Sequence, residues 1–197
     1  MGSEMIPSYD EIDVKSARTN YSSLQHGAHA LIWAKTETRL FGKHPIKALA
    51  LMTLRFDGTF GFPGGYIDVG ETIEEGLSRE LREEIGLDSA QLVITPDDQL
   101  CSHLVTNRHQ GSNLCLHFFV KEVTEEFYLN IEKNVLGAAE YGLETLGITR
   151  VPLYTLSNER GFPSFLKNSF IGNSKEQLIK ALEFAKMMPT EFQMKTE

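Results

Sequence analysis

The sequence is poor in cysteine and has no long apolar run. Its 197 residues include only two cysteines, Cys101 and Cys115. These are too few for a disulfide framework or a thiolate metal cluster, so a reducing intracellular compartment is expected. No apolar stretch approaches the roughly 20 residues that span a membrane, and residues 1–10 lack a signal-peptide pattern. These absences predict a protein that has no membrane partner.

An excess of positive charge is missing as well. The formal net charge is −8 at pH 7, which argues against a broad basic surface for nucleic acid but leaves a local cleft open. An acidic protein that handles polyphosphates needs metal ions or local arginines to offset the repulsion. With 41% hydrophobic and 23% charged residues, the composition is that of a globular protein, and the length suits one domain with short extensions.

The order of the predicted elements indicates an α/β fold. Strands and helices mix without regular βαβ alternation, which favours an α/β/α sandwich around a mixed β-sheet. Strands are expected at residues 28–34, 46–56, 91–95, 99–106, 113–123 and 146–156. Residues 60–68 hold too many glycines for a regular element, and residues 124–142 should be helical at first and then looped. Because residues 1–22 are polar and lack periodicity, we expect a flexible leader at 1–22, one domain at 23–188 and a tail at 189–197.

Two helices have clear start signals. Thr72 and Glu75 are spaced as a capping box, and Gly86 is the expected C-terminal stop. The apolar stripe between these signals has the spacing of a buried helix face and consists of Ile73, Leu77, Leu81 and Ile85. Ser174 and Gln177 form a second predicted capping box, and the helix that follows should run to about residue 187.

Three glutamates crowd one side of the first helix. Glu80 and Glu84 are one turn apart and Glu83 lies beside them, although like charges at this spacing repel by about 0.2–0.5 kcal/mol per pair. They could form a solvated acidic face, as charge runs commonly do. They could equally form an oxygen-rich site for a hard cation. Arg79 lies one turn before Glu83 and could hold that carboxylate in place.

The spacing of residues 65–87 resembles the Nudix box at every fixed position. The stretch reads Gly65, five residues, Glu71, seven residues and then RELREEIGL. The flanking stretches LFGKHPIKALALMTLRFDGTFGFPGGYID, GLETLGITRVPLYTL and FPSFLKNSFIGNSKEQL resemble one branch of the Nudix superfamily, the snoRNA-decapping hydrolases that are also described as inosine diphosphate phosphatases. The resemblance covers roughly residues 24–183 and implies the Nudix fold.

The resemblance also implies a function. Members of this branch remove the methylguanosine cap from snoRNA and some mRNA, and they convert inosine and deoxyinosine diphosphates to monophosphates. The implied cofactor is Mg²⁺ or Mn²⁺, with Co²⁺ as a further candidate. The implied partners are capped RNA, purine nucleoside diphosphates and a second copy of the chain. The implied location is the nucleolus and nucleoplasm, with some protein in the cytoplasm.

Individual roles follow from the same resemblance. The implied metal ligands are the Gly64 carbonyl, Glu80, Glu83, Glu84 and His103. The implied catalytic residues are Arg79, which would orient a carboxylate, and Glu83 or Glu84, either of which could accept a proton from water. The implied nucleotide contacts are His29, Arg55, Phe62 and Gln177.

Several of these residues also have a structural interpretation. His29 alternates with apolar residues in a strand and could be a hydrogen-bonded core histidine, and the same holds for His103. Phe62 could simply pack in the core, although the glycines around it would let a base stack. Gln177 doubles as a capping residue. Arg55, just before a turn, suits a phosphate or carboxylate clamp.

Two rival functions remain open from the sequence. One is an enzyme that acts on ADP-ribose or another nucleoside diphosphate derivative, because stacking would suit several purines. The other is a non-catalytic RNA- or protein-binding protein that resembles syndesmos, a relative that has lost box carboxylates. Since Glu80, Glu83 and Glu84 are all present, we favour an enzyme.

Overall fold

The computed structural model describes residues 6–87, 90–107 and 113–189. The strands are β1 (Ser8–Ile12), β2 (Gln25–Ala34), β3 (Arg39–Leu40), β4 (His44–Pro45), β5 (Leu49–Arg55), β6 (Phe60–Gly61), β7 (Gly64–Tyr66), β8 (Gln99–Thr106), β9 (Leu114–Val123), β10 (Thr145–Arg150), β11 (Thr155–Leu156) and β12 (Arg160–Gly161). The α-helices are α1 (Val14–Thr19), α2 (Ile73–Ile85), α3 (Glu125–Asn134), α4 (Phe162–Phe165) and α5 (Ser174–Phe184). Among the described residues, no helix has the length and apolar character needed to cross a membrane.

The main sheet has eight strands of mixed direction. Its order is β1-β8-β9-β2-β5-β10, with β6 paired to β5 and β7 paired to β2. The central strands β2 and β9 run parallel and stay in register from Gln25 and Leu114 to Ala34 and Val123, and the other pairs are antiparallel. This confirms the predicted α/β fold with a mixed sheet.

Each face of the sheet is covered by its own helical layer, which makes the predicted sandwich. On β2, Ala30 and Ile32 face one core with the apolar stripe of α2 and with Tyr128 of α3. Leu31 and Trp33 face a second core, which includes residues of α4 and α5. A strand that is buried on both faces reads as a continuous apolar run, which is why residues 28–34 are apolar at nearly every position.

The helix α2 begins and ends where its sequence signals predict. Thr72 accepts from the Glu75 amide, and the Glu75 side chain accepts from the Thr72 amide, so the capping box is formed. Gly86 has φ of +70° in the left-handed C-cap position, and its N–H donates to the Arg82 carbonyl. Leu77 and its stripe neighbours face the core, and Glu84 is buried next to this stripe.

The expected leader and one predicted strand need correction. The expected flexible leader is wrong for residues 8–19, because β1 pairs along β8 as an edge strand and α1 follows it. Polar residues suit an edge strand with one solvated face, so polarity did not mean disorder. Residues 91–95 form no strand and lead into a 3₁₀ turn at Pro96–Asp98. Residues 1–5, and residues 190–197 of the predicted tail, lie outside the described part of the chain.

The structure differs from three further predictions. The glycine-rich stretch at 60–68 contains the short strands β6 and β7, because β5 and β2 offer free edges there. The strand predicted at 146–156 divides into β10 and β11, with Pro152 in the break. The second capping box does not form. The N-cap of α5 is Asn173, without a side-chain cap hydrogen bond, and the helix ends at Phe184.

Candidate active site

The helix α2, the box helix, is hydrogen-bonded to the sheet through one buried carboxylate. Glu84 is 3% exposed, and its Oε2 accepts a hydrogen bond from the Gly64 amide at 2.9 Å. Gly64 opens β7, which pairs with β2 directly opposite His29. The acidic face of α2 is therefore held against the glycine-rich stretch, and Glu84 is not a solvated surface residue.

Two glycines make this close approach possible. Gly64 has φ of +135°, and a Cβ atom there would lie 2.1 Å from the Ala28 carbonyl oxygen. A Cβ atom on Gly65 would lie 2.6 Å from Oε2 of Glu80. Any larger residue would push the strand or the carboxylate away, since Cβ contacts under 3.0 Å are essentially never seen.

Arg79 organises the carboxylates around it. Its Nη1 donates to Glu80 Oε1 at 2.8 Å and to Glu83 Oε2 at 3.1 Å. Its Nε and Nη2 donate to the two oxygens of Glu71 at 3.0 and 3.1 Å, and Nη2 also donates to the Tyr66 carbonyl at 2.9 Å. The hydrogen bonds to Glu71, followed by those to Glu80 and Glu83, raise the pKa of Arg79 above its usual value. The guanidinium fixes three box carboxylates with donors that a lysine could not supply.

Arg79 does not neutralise the whole cluster. Burial raises the pKa of Glu84 to about 7, and the nearby Glu80 charge adds to the effect, while the Gly64 hydrogen bond and Arg55 oppose it. Burial also raises the pKa of Glu80, against the lowering effect of Arg79. The positive charges of Arg79 and Arg55 therefore do not fully offset the burial of these two carboxylates.

The structure adds two acidic residues that the sequence did not single out. Glu140 and Glu144 each bring a carboxylate oxygen within 4.8 Å of Glu84. The Glu140 amide donates to the Glu83 carbonyl at 2.9 Å. Burial raises the pKa of Glu140, with further contributions from Glu144 and Glu83. Both residues lie in the irregular segment after α3, where no periodicity or motif marks them, so only the tertiary contact identifies them.

Arg55 and His29 lie beside this cluster. The positive charge of Arg55 lowers the pKa of Glu84 and of His29. Burial is the larger cause for His29 and brings its pKa to about 4, so the imidazole is neutral near pH 7. The Nε of Arg55 is buried and has no hydrogen-bond partner among the described residues, and Asp57 lies 3.9 Å away. A buried donor without a partner costs free energy, so Arg55 is suited to bind an anion.

The other residues implied by the resemblance lie apart from the carboxylates or are packed. Phe62 is 1% exposed, and its ring centroid is 4.7 Å from that of Phe118, so the ring is packed in the core. Gln177 is buried on α5. His103 lies on β8, which is separated from β7 by β9 and β2, a distance of about 14 Å at the usual strand spacing. Among the described strands His103 is thus not next to β7, and the metal role implied for it stays a prediction. Its Nδ1 is buried and has no hydrogen-bond partner in the described part of the chain. Burial lowers the pKa of His103, with smaller opposing effects of Glu11, which raises it, and Lys180, which lowers it.

The comparisons with known proteins identify the family. The family model described as Nudt16-like, U8 snoRNA-decapping enzyme-like, matches residues 26–188. The chain belongs to this family. It is 43% identical to the U8 snoRNA-decapping enzyme of Xenopus laevis over 166 residues, which cover 83% of this chain and 77% of the relative. It is also 36% identical over 193 residues to the Tudor-interacting repair regulator protein of Mus musculus, covering 97% of this chain and 88% of the relative.

Solved structures show the same fold at lower identity. A MutT/nudix family protein from Enterococcus faecalis has a TM-score of 0.55 at 17% identity, covering 89% of this chain and 70% of the other. The C. elegans Ap4A hydrolase binary complex has a TM-score of 0.54 at 16% identity, covering 83% of this chain and 98% of the other. The Nudt16-like chain thus has the Nudix fold, and with its family it is an enzyme of the Nudix hydrolase type.

The residues of this Nudt16-like site fit a divalent cation, which Nudix hydrolases generally use. All the clustered side-chain ligands are carboxylates, the donors that hard divalent cations prefer. Glu80 and Glu84 both have raised pKa values because of burial. A cation among them would replace the missing positive charge and stabilise the ionised forms.

Proposed function

We propose that this chain is a metal-dependent hydrolase that removes the methylguanosine cap from snoRNA and mRNA. We propose further that it converts inosine and deoxyinosine diphosphates to monophosphates. The observation that supports hydrolysis most directly is the buried carboxylate of Glu84, hydrogen-bonded to Gly64 and grouped with Glu80 and Glu140. The name of the Xenopus laevis relative supports capped RNA as substrate.

The roles of the chain's own residues follow from their positions. Glu80, Glu83, Glu84 and the Gly64 carbonyl would hold the metal, with Glu140 as an added ligand candidate. A bound divalent cation, Mg²⁺ or Mn²⁺ with Co²⁺ as a further candidate, would neutralise the diphosphate and acidify a water.

Proton transfer and substrate positioning are assigned to separate residues. Oε2 of Glu84 accepts a hydrogen bond from the Gly64 amide, and either Glu84 or Glu83 would accept the proton of the attacking water. Arg55 would donate its unpaired Nε to a phosphate oxygen, and neutral His29 beside it would position the nucleotide. Positioning and charge stabilisation supply most of the rate in phosphoryl chemistry.

Two alternatives remain as proposals of lower rank. The first keeps the hydrolase and changes the substrate to ADP-ribose or another nucleoside diphosphate derivative, because the carboxylate cluster would act on any phosphoanhydride. The second is a non-catalytic binding protein, which the relatives named Tudor-interacting repair regulator bring into view. The complete set Glu80, Glu83 and Glu84, held by Arg79, favours catalysis.

Location and assembly belong to the same proposal. A nuclear location, in nucleolus and nucleoplasm with some cytoplasmic protein, and a homodimer rest on the family resemblance. Imaging of the tagged chain and light scattering of the purified protein would test them.

The test is decapping of a cap-labelled snoRNA with Mn²⁺ or Mg²⁺, followed by identification of the released nucleotide. Glu84→Gln is the matched variant, because it keeps the shape and the hydrogen-bonding oxygen while it removes the charge. We expect methylguanosine diphosphate from the wild-type protein and almost none from the variant, with unchanged circular dichroism.

Inosine diphosphate is assayed in parallel. Release of inorganic phosphate with metal, and its loss in Glu84→Gln, would establish the second activity. If neither substrate is turned over while capped RNA is still bound, the binding-protein alternative replaces the enzyme.

A further inference from the structure

A short basic hairpin projects from the end of the sheet. It consists of residues 39–47, in which β3 and β4 pair around a tight turn. This basic hairpin contains Arg39, Lys43 and Lys47 together with His44, and it contains no acidic residue. All four of these side chains are exposed, and none forms an ion pair with a carboxylate of the described residues. In a chain of net charge −8, the basic hairpin is therefore a local positive surface.

Phe41 at the tip of the basic hairpin is unusual in two ways. Its side chain is 81% exposed, so it adds nothing to either core. Its φ is +53°, and Gly42 follows with +69°, while the Lys43 amide donates to the Leu40 carbonyl at 3.1 Å. Positive φ at both central residues is the pattern of a type I′ turn, which favours Asn-Gly and disfavours a bulky residue at the first position. Phenylalanine at this position does not favour folding, so we infer that Phe41 contacts a ligand.

The chemistry of the basic hairpin suits single-stranded nucleic acid. A ring that presents its face to solvent can stack on a base of any identity, and flanking cations follow the phosphates. We propose that the basic hairpin binds the body of a capped RNA, with a base stacked on Phe41 and phosphates contacted by Arg39, Lys43 and Lys47. The inference rests on the proposed function for the nature of the RNA.

The position of the basic hairpin separates it from the site of hydrolysis. It connects the end of β2 at Ala34 with the start of β5 at Leu49, whereas His29 lies in the middle of β2 and Arg55 at the other end of β5. Five or six residues of strand at about 3.3 Å each make this separation roughly 17–20 Å or more. A mononucleotide cannot reach both places, and an RNA of several nucleotides can. The basic hairpin should therefore discriminate substrates by length.

The first test measures RNA binding without turnover. Fluorescence anisotropy follows an uncapped single-stranded RNA of about 20 nucleotides, longer than a typical binding groove covers, in the presence of EDTA. The double variant Arg39→Ala/Lys43→Ala should bind more weakly, and the slope of log K against log salt should fall by about 1.4, for two phosphate contacts. The charge-matched control is Lys15→Ala/Lys133→Ala, which removes two exposed lysines elsewhere and should leave the slope unchanged. Equal slopes in the two double variants would overturn the proposal.

The tip residue is tested by separating stability from binding. Phe41→Asn creates the Asn-Gly pair that a type I′ turn prefers, so the unfolding midpoint should stay the same or rise. RNA binding should weaken by about tenfold, within the range for loss of one stacked base. Phe41→Leu keeps apolar area without a flat ring and should weaken binding similarly. Full RNA affinity in both variants would refute the stacking contact.

Turnover distinguishes this inference from the proposed function. With capped RNA, Arg39→Ala/Lys43→Ala should raise KM about tenfold with kcat unchanged, whereas inosine diphosphate hydrolysis should match the wild type. If the wild type does not decap but still binds RNA through the basic hairpin, the proposed function fails and the surface assignment stands. If Arg39→Ala/Lys43→Ala keeps its RNA affinity but loses binding to anionic phospholipid vesicles, a membrane surface replaces RNA as the partner.

Discussion

Replacement of Gly65 by alanine should disable the carboxylate cluster without touching a carboxylate. The new Cβ atom would lie 2.6 Å from Oε2 and 2.8 Å from Oε1 of Glu80. To reach an ordinary contact of 3.4 Å, the carboxylate must retreat by about 0.8 Å. Displacements near 1 Å in a catalytic arrangement can cost about 100-fold in rate, so we expect a loss of roughly 10- to 100-fold in activity.

The same substitution should leave the fold intact, because the atoms in the way are the end of a flexible side chain. Gly65 does not have a positive φ, so alanine brings no backbone strain. It also reduces the entropy of the unfolded chain, which contributes roughly 0.4–1 kcal/mol. Gly137→Ala is the matched control, since nothing lies within 4 Å of a Cβ atom there.

The assay combines hydrolysis at increasing concentrations of metal with thermal unfolding of the same samples. In Gly65→Ala, the metal concentration at half-maximal rate should rise and the unfolding midpoint should change little. Gly137→Ala should match the wild type in both. Wild-type rate and metal dependence in Gly65→Ala would refute the reasoning, because they would mean that the position of the Glu80 carboxylate does not matter.

Three further predictions concern Arg79, His117 and the start of α2. Arg79→Lys should lower activity or metal affinity about 10- to 100-fold, because one ammonium cannot hold the three box carboxylates Glu71, Glu80 and Glu83 together. Metal titration of the hydrolysis rate measures this, and an unchanged rate would contradict it. Burial lowers the pKa of His117 from 6.5 to about 3, so between these values the unfolded chain binds a proton that the folded chain does not. His117 should therefore lower the free energy of unfolding by about 1.4 kcal/mol for each unit that the pH falls below 6.5. Urea denaturation from pH 7 to about pH 5 measures this, and the free energy of unfolding should decline less steeply in His117→Gln than in the wild type. Thr72→Ala removes the N-cap of α2 and should lower the free energy of unfolding by about 1 kcal/mol in the same assay, and no loss would mean that the cap is dispensable.

The box helix could be predicted in detail because its signals are local. The capping box of Thr72 and Glu75, the stripe that includes Leu77, and Gly86 as the stop are all read within one segment, and each agrees with the structure. The Nudix resemblance likewise followed from spacing within residues 65–87, and the branch followed from the flanking stretches. By contrast, the pair Ser174 and Gln177 has the same spacing as a capping box, yet no cap forms, because the chain enters α5 through Asn173.

The N-terminal strand shows where local interpretation fails. Residues 8–12 have no alternation strong enough to indicate a strand, and they become ordered because β8 offers them an open edge. His117 is a similar case. Its sequence neighbours indicate no partner for it, whereas the fold places its ring nitrogens within hydrogen-bonding distance of His26 at 2.8 Å and Gln99 at 2.9 Å.

The sequence by itself therefore determined the fold class, the box helix and the set of glutamates that lie on one side of it. The tertiary structure alone decided which glutamate is buried, and it alone placed a carboxylate oxygen of Glu140 within 4.8 Å of Glu84. It also decided that His103 lies on β8, away from β7. The physical reason is the distance along the chain over which each kind of signal acts. Caps, periodicity and box spacing act within about one helix of sequence, whereas burial and electrostatic coupling depend on which distant segments meet.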